Sequence, residues 1–209
     1  MKKNRVLAFA LAVCLIAILA FGSLAFFTDS ERASNKFMTA SSDDPDKLLF
    51  DVDLYETDVD KDGDVRANTY SNILPGSVLT KDPTVENTGL YGQYVRLVIT
   101  IDCASQWQAA CAAHNIEDLE HIFGEFNSEW ERKSEEADLT NNTLTYTYYL
   151  NRVLNPDETS TIFKTVTIPE EFTIEDMNTL TEFNMDIVAE AIQSDNNGTN
   201  AVEAFENWE

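Results

Sequence analysis

The chain has 209 residues and a formal net charge of −23, from 14 basic and 37 acidic side chains. This length suits one domain with a sizeable hydrophobic core rather than two domains. The excess of acid excludes nucleic acid as a natural partner, because a strongly negative surface repels phosphate groups and attracts cations.

The first 25 residues have the layout of a secretory signal peptide. Three basic residues among the first five precede an uncharged apolar run, and Ser23 and Ala25 supply the small side chains that a signal peptidase recognises. We therefore predict export of the protein and cleavage between Ala25 and Phe26. The alternative is a retained membrane anchor, since about 20 apolar residues can span a bilayer.

Residues 26–46 are polar and acidic and contain too few apolar side chains to form a core. Such a segment is either a disordered leader or a strand that pairs with the sheet edge of a partner. We interpret it as an N-terminal extension and a candidate donor strand. The folded domain then comprises residues 47–209, and its first strand pattern covers residues 48–55.

An acidic stretch follows this first strand. Asp58, Asp60, Asp62 and Asp64 alternate around a glycine, and the spacing D-x-D-x-D-G is similar to the first half of a calcium-binding loop. Thr69 occupies the position at which an EF-hand places its bidentate glutamate. Two interpretations follow: a weak or partner-completed calcium site, or a solvated acidic turn.

Residues 73–101 contain two strand patterns joined by a turn-rich connection. Pro75 and Gly76 suit a turn before the first strand, because proline fixes φ and glycine tolerates positive φ. Alternate residues of the second strand form one apolar face. These residues are Val95, Leu97, Ile99 and Ile101. We predict a β-hairpin or a longer β-arch over this stretch.

After these strands the apolar period changes to three and four, which predicts two short amphipathic helices that break near His114. The charged stretch 127–142 predicts a loop or a frayed helix, so we expect a helical insertion over about residues 104–137. Cys103 and Cys111 lie at its start. They form either a small disulfide loop, if the chain folds back there, or a pair of free thiols.

Strand patterns resume at residues 143–151 and 159–168, and a last strand covers about residues 183–193. A short helix with apolar side chains at i and i+4 ends the chain. The whole pattern predicts a mainly β fold. We expect a jelly-roll-like β-sandwich with a short helical insertion and a C-terminal helix.

Three blocks of sequence resemble the TasA and camelysin family of secreted Gram-positive proteins. The central block contains LPG, KDPTVENTG and YVRLVI, and it lies between an N-terminal LAFFTDSERASNKF and a C-terminal FNMDIVAEAIQSDN. The resemblance implies the same sandwich fold and cleavage after Ala25 by a SipW-type signal peptidase. It also implies extracellular fibres in which subunits join by donor-strand exchange.

Camelysin-like members of this family are classed as metallopeptidases, so the resemblance also implies peptidase activity as an alternative function. The sequence has no H-E-x-x-H motif, and its two histidines, His114 and His121, are seven residues apart. A zinc site usually needs three protein ligands at a tighter spacing. The chain also has no G-x-S-x-G elbow. We therefore predict that the protein is not an enzyme.

The leading hypothesis is an exported structural subunit of a biofilm-matrix or cell-surface fibre. The subunits would polymerise head to tail, alone or with an accessory fibre protein. The alternatives are a camelysin-like secreted metalloendopeptidase and a calcium-dependent surface adhesin or binding module. Calcium is the one cofactor that the sequence suggests.

Overall fold

The computed structural model of the chain describes residues 28–30, 48–180 and 182–208. The predicted signal peptide, its cleavage site between Ala25 and Phe26 and most of the N-terminal extension lie outside these residues. The predicted fold class is confirmed: the described part is a mainly β sandwich with a short helical insertion and a C-terminal helix.

The described residues form eleven strands, three α-helices and one 3₁₀ helix. In chain order the strands are β1 (Thr28–Ser30), β2 (Val52–Tyr55), β3 (Val78–Thr80), β4 (Thr84–Asn87), β5 (Gln93–Asp102), β6 (Phe123–Gly124), β7 (Trp130–Asp138), β8 (Thr143–Leu150), β9 (Thr159–Thr161), β10 (Thr165–Thr167) and β11 (Met185–Gln193). The helices are α1 (Ala104–Ala113), α2 (Ile174–Thr179), α3 (Ala201–Glu206) and the 3₁₀ helix Leu119–Ile122.

The strands pair into three antiparallel sheets. The five-stranded sheet has the order β1-β11-β5-β8-β7, and the two smaller sheets have the orders β3-β10-β6 and β2-β4-β9. Inner side chains of the large sheet and of the small sheets share one hydrophobic cluster. The large sheet therefore forms one layer of the sandwich, and the two small sheets cover its inner face.

The apolar face predicted for β5 is the centre of this core. All four of its aliphatic residues are fully buried, and each such side chain stabilises the fold by about 1.5–3 kcal/mol. Tyr146 on the neighbouring β8 is fully buried on the same face. Phe123 packs edge-on against Tyr146 and stacks on Phe163 at a centroid distance of 4.5 Å.

The stretch 73–101 forms an arch rather than a hairpin, because β3, β4 and β5 lie in three different sheets. The turn from β4 into β5 depends on Asn87, which is fully buried. Its amide donates to the carbonyl oxygens of Tyr91 and Leu154 at 2.8 Å, and its Oδ1 accepts from Gly89 N–H at 3.0 Å. A Cβ at Gly89 would lie 2.8 Å from Asp51 N, so this corner requires glycine.

The predicted helical insertion ends earlier than expected. Its first part is helical as predicted, and α1 buries Trp107 against Phe183 with ring centroids 5.0 Å apart. However, the prediction of a loop or frayed helix over residues 127–142 is wrong, because residues 130–138 form β7. Charged side chains occupy positions of β7 that face the core, and they remove the apolar alternation by which a strand is recognised.

Helix α3 covers one end of the outer face of the large sheet. Phe205 is buried there against Tyr94 and Tyr149. The guanidinium of Arg96 lies 4.4 Å from the centroid of the Phe205 ring, and its Nε donates to Glu190 at 2.5 Å. The helix therefore fixes the C-terminal half of β11, which carries Glu190, onto the sheet.

Candidate functional site

The strand β11 is paired unevenly on its two sides. On one side all nine residues pair with β5, from Met185 opposite Ile101 to Gln193 opposite Gln93. On the other side only residues 190–192 pair, with the three residues of β1. Among the described residues, no strand pairs with residues 185–189 on that side. In the described part of the chain, the first half of β11 is therefore a sheet edge without a paired strand.

Hydrogen bonds at the two ends of the β5–β11 ladder show which backbone groups face this open edge. Asp102 N–H donates to Asn184 O at 3.1 Å, and Ser194 N–H donates to Gly92 O at 2.9 Å. Because bonding alternates along an antiparallel ladder, the even-numbered residues of β11 bond to β5. The odd-numbered residues direct their N–H and C=O groups to the edge. In its open half these are Met185, Ile187 and Ala189.

A groove of about 550 Å³ lies beside the open half of β11. The segment 182–188 forms one side, and β2, β3 and the chain between them form the other. The Tyr70 hydroxyl donates to Thr80 O within this groove. Burial, together with nearby Glu56, raises the pKa of Tyr70 to about 12. The apolar lining includes Leu54, Ile73, Leu79, Phe183, Met185 and Ile187.

The strand β7 is the opposite edge of the same sheet, and it is built differently. A bulge interrupts its pairing with β8 between Arg132 and Ser134. Arg132 and Glu135 stand opposite Tyr148 and Tyr146, which point into the core. Bulges and inward-pointing charges both hinder the addition of a further strand.

Arg132 is the centre of an ion-pair network on the inner side of β7. Its Nη2 lies 2.7 Å from Asp118 Oδ2, and its Nη1 lies 3.3 Å from carboxylate oxygens of Glu120 and Glu135. The Tyr148 hydroxyl donates to Glu120 at 2.7 Å. The hydrogen bond from Arg132 lowers the pKa of Asp118, and the same bond raises the pKa of Arg132. The inward charges of this edge are thus paired within the subunit.

The chain between β2 and β3 carries the predicted calcium ligands. Carboxylate oxygens of Asp58, Asp60 and Asp62 lie within 4.8 Å of one another. Thr69, at the position of the EF-hand glutamate, instead donates its N–H to Asp60 Oδ2 at 2.8 Å. In the part of the chain that the structure describes, this is the one group of three or more side chains placed to share a metal ion.

Asp58 is the innermost member of this acidic group. Its Oδ2 accepts from Gly63 N–H at 3.1 Å, whereas its Oδ1 is buried and has no hydrogen-bond partner among the described residues. Asp64, the fourth predicted ligand, lies outside the group and accepts from Arg66 N–H at 2.9 Å. A buried carboxylate oxygen without a partner fits a position that a cation would satisfy.

The two histidines lie in different contacts. His114 Nε2 is 2.9 Å from Asp176 Oδ2 and joins the end of α1 to α2. Hydrogen bonds from Thr173 and, to a smaller extent, from His114 lower the pKa of Asp176 to about 2. His121 is exposed in the 3₁₀ helix. Within the described ranges, neither histidine belongs to a group of three metal-binding side chains.

Cys103 and Cys111 are free thiols. Cys103 precedes α1 with φ +59°, and Cys111 is buried within that helix. Eight residues of helix rise about 12 Å, whereas a disulfide requires Cα atoms within about 7 Å. The chain does not fold back between them, so the disulfide interpretation fails on geometry. Burial raises the pKa of the Cys111 thiol.

Two features of this region have no signal in the sequence. The alternation in β11 predicts a half-buried strand, but it does not reveal that half of one side lacks a paired strand within the described ranges. The groove forms because β2 and β11 belong to different sheets. It also brings together Glu56, Asn68 and Lys81, which come from separate segments.

No family model, curated protein or solved structure matches this chain. In the ranges that the structure describes, no helix is long and apolar enough to cross a membrane. Evidence for a function therefore comes from the two sheet edges and the acidic loop.

Proposed function

We propose that the chain is a structural subunit of an extracellular fibre, exported to the matrix or the cell surface. The observation that carries this proposal is that residues 185–189 have no paired strand on one side, among the described residues, and lie beside a groove with both apolar and polar side chains. Backbone groups at such an edge gain hydrogen bonds when a strand adds, and the groove gains apolar contacts. The resemblance to the TasA and camelysin family implies the same kind of assembly.

The strand that adds is the N-terminal extension of a second subunit, residues 26–40. The position of β1 supports this match, because β1 belongs to the extension and pairs with β11 within one chain. In that register the numbers of each pair sum to 220, as for Thr28 and Ile192. The same sum places residues 31–35 of a donor opposite residues 189–185 of the acceptor. The donor thus reaches the open half of the edge.

Assembly by this contact produces a filament. Exchange of a strand between subunits keeps a pairing that one subunit already makes, so its cost in free energy is low. The donor segment and the acceptor edge are different surfaces. The contact is therefore heterologous, and each added subunit offers a new free end. Removal of the signal peptide at Ala25 would release the donor and so couple export to assembly.

Deletion of residues 26–40 from the processed protein tests the proposal. We expect a folded monomer that forms no fibres, because the acceptor edge remains while the donor is lost. Electron microscopy and size-exclusion chromatography measure this outcome. Fibres like those of the undeleted protein would contradict it.

The deleted protein also provides its own control for folding. It keeps the acceptor edge, so it can accept a donor but offers none to the next subunit. Added in small amounts to the undeleted protein, it should shorten the fibres by ending their growth. A deleted protein that is folded but leaves the fibre length unchanged would show that the edge is not the acceptor.

Calcium binding is a second proposal, favoured by the unpartnered Oδ1 of Asp58. Asp58, Asp60 and Asp62 would hold the ion, because clustered carboxylates repel one another until a cation neutralises them. The lack of a bidentate glutamate at Thr69 makes the expected affinity modest. This loop lines the groove through residues 66–70, so bound calcium would order one side of the acceptor.

Calorimetry with a paired variant tests the calcium proposal. Asp60→Asn plus Asp62→Asn should remove the heat of calcium binding. The matched control is Glu131→Gln plus Glu136→Gln, which removes two exposed acids from β7. Equal responses to calcium in the wild type and in the Asp60 and Asp62 variant would remove the site.

Peptidase activity is not proposed. The one group of side chains placed to share a metal ion, among the described residues, consists of carboxylates, which suit calcium better than catalytic zinc.

A further inference from the structure

The carboxylate of Glu56 contacts an amine and a carboxamide at the same time. Lys81 Nζ lies 2.6 Å from Oε1, and Asn68 Nδ2 donates to Oε2 at 3.3 Å. Glu56 follows β2, Asn68 lies in the loop after it, and Lys81 follows β3. A nucleophile, an electrophile and a proton acceptor thus meet on the wall of the groove.

The Asn68 carboxamide is held in one orientation and is polarised. Its oxygen accepts from Val59 N–H at 2.7 Å, and its Nδ2 also donates to Thr57 O at 2.9 Å. These partners fix which end is oxygen, because an N–H only donates and a carbonyl only accepts. A backbone N–H on the amide oxygen stabilises the negative charge that forms there when a nucleophile attacks Cγ.

The Lys81–Glu56 pair is removed from water. The side chains of Lys81 and Glu56 are 12% and 7% exposed. Leu54, Leu79 and Tyr70 line the same groove. The 2.6 Å contact places the Glu56 carboxylate within reach of the proton that Lys81 must lose before its amine can attack. The neutral amine that results is a nucleophile.

A second pair of contacts holds the two segments in place. The N–H and the hydroxyl of Thr57 donate to the two carboxylate oxygens of Asp82, each at 2.7 Å. Thr57 and Asp82 are the neighbours of Glu56 and Lys81 in sequence. This clamp fixes the reacting groups relative to one another, which lowers the entropic cost of their reaction.

We propose that Lys81 and Asn68 form an intramolecular isopeptide bond, with Glu56 as the proton carrier. Glu56 takes a proton from the Lys81 ammonium, and the amine attacks Asn68 Cγ to form the Nζ–Cγ bond. Glu56 gives this proton to Nδ2 and accepts a second one from Nζ. The Cγ–Nδ2 bond then breaks, and ammonia leaves with the second proton as ammonium. No oxidant or further reactant takes part.

The bond joins the acidic loop covalently to the end of β3. It closes the chain segment 68–81, which includes the turn before β3. A cross-link restricts the unfolded chain more than the folded one, so it raises the melting temperature. It also fixes one side of the groove that receives the donor strand in the assembly proposed above. The cross-link itself does not depend on that assembly.

Mass spectrometry of the intact folded protein tests the bond. We expect the wild type to weigh about 17 Da less than its sequence, which is the mass of the ammonia released. Lys81→Arg, Asn68→Ala and Glu56→Gln should each have the full mass, and Lys81→Arg should melt at a lower temperature. The matched control is Lys164→Arg, because Lys164 pairs with Glu125 at 3.2 Å on the surface. It should keep the mass loss.

A tryptic map of the wild type decides the case without any variant. The expected product is one peptide of residues 67–96 that is about 17 Da lighter than its sequence, with Lys81 joined to Asn68 in an internal loop and no cleavage after Lys81. Linear peptides with unmodified Lys81 and Asn68 from folded protein would overturn the proposal. A mass loss that persists in Lys81→Arg would also overturn it, since the ammonia would then come from another site such as Asn197 beside Gly198.

Discussion

The long strands β7 and β11, which lie near the two edges of the five-stranded sheet, differ in the side chains that face the core. In β7 the positions that face the core include Arg132 and Glu135, and a bulge breaks the register. In β11 no charge faces the core, and the corresponding positions are Met185, Ile187, Ala189 and Ala191. β7 has two of the features that prevent a further strand from pairing with a sheet edge, whereas β11 has neither.

This difference shows that a protected sheet edge depends on the residues around it. The inward charges of β7 are stable because Asp118 and Glu120, from the 3₁₀ region, pair with Arg132. A strand added to β7 would have to pack beside this network. β11 instead borders a groove lined by both apolar and polar side chains, and among the described residues β1 covers only its last part. In the described part of the chain, one edge of the sheet is thus protected and the other has no paired strand along residues 185–189.

The largest expected effect comes from giving β11 the protection that β7 has. Ile187→Lys places a charge at a core-facing position of the open edge. In the monomer the lysine can extend through the groove to water, but an added strand would bury it. We expect fibre formation to slow by on the order of tenfold or more, measured by light scattering and electron microscopy.

The control for this variant adds the same charge to the other edge. Ser134→Lys on β7 should leave fibre formation unchanged, because that edge takes no strand. If Ile187→Lys remains folded and forms fibres at the wild-type rate, β11 is not the acceptor. Loss of fibres in Ser134→Lys would assign assembly to β7 instead.

A smaller effect is expected from removing the centre of the β7 network. Arg132→Ala leaves three carboxylates without their cation, and we expect a loss of about 2–3 kcal/mol in the free energy of unfolding. Chemical denaturation measures this loss. Fibres should still form, because β11 is unchanged and the inward charge of Glu135 remains on β7. A folded Arg132→Ala variant without fibres would contradict the division of roles between the edges.

The smallest expected effect concerns pH. The pKa of Asp118 is lowered from its ordinary value of 3.8 by Arg132, so the folded state favours the ionised carboxyl. This contribution to stability is present above pH 3.8 and is lost as the pH falls through the lower folded value. Asp118→Asn should therefore be less stable than the wild type at neutral pH, and the difference should shrink in acid. Denaturation curves at several pH values would show a constant difference if Asp118 had no such role.

The sequence predicted the strands in which apolar residues alternate with polar ones. It missed β7, in which they do not alternate. β5, β8 and β11 lie close to their predicted positions because each has one uninterrupted apolar face. β7 was missed because Arg132 and Glu135 stand at its core-facing positions. The partners that make these charges stable, Asp118 and Glu120, precede the strand and reach it only in the fold.

The candidate site divides in the same way between local and distant contacts. Asp58, Asp60 and Asp62 were predicted to lie together because they are close in sequence, and they do. Asp64 was expected with them, but the turn directs it to Arg66 N–H. The contacts of Glu56 with Asn68 and Lys81 join three segments, and only the folded chain reveals them. The resemblance to the TasA and camelysin family stays a prediction.

Hydrogen–deuterium exchange compared between monomer and fibre tests the central claim most directly. Assembly through the open edge should slow the exchange of the amides of Met185, Ile187 and Ala189, which face that edge, because a donor strand then accepts their hydrogen bonds. The amides of residues 130–138 in β7 should exchange equally fast in both states. Protection gained along β7, with none gained in residues 185–189, would contradict the account.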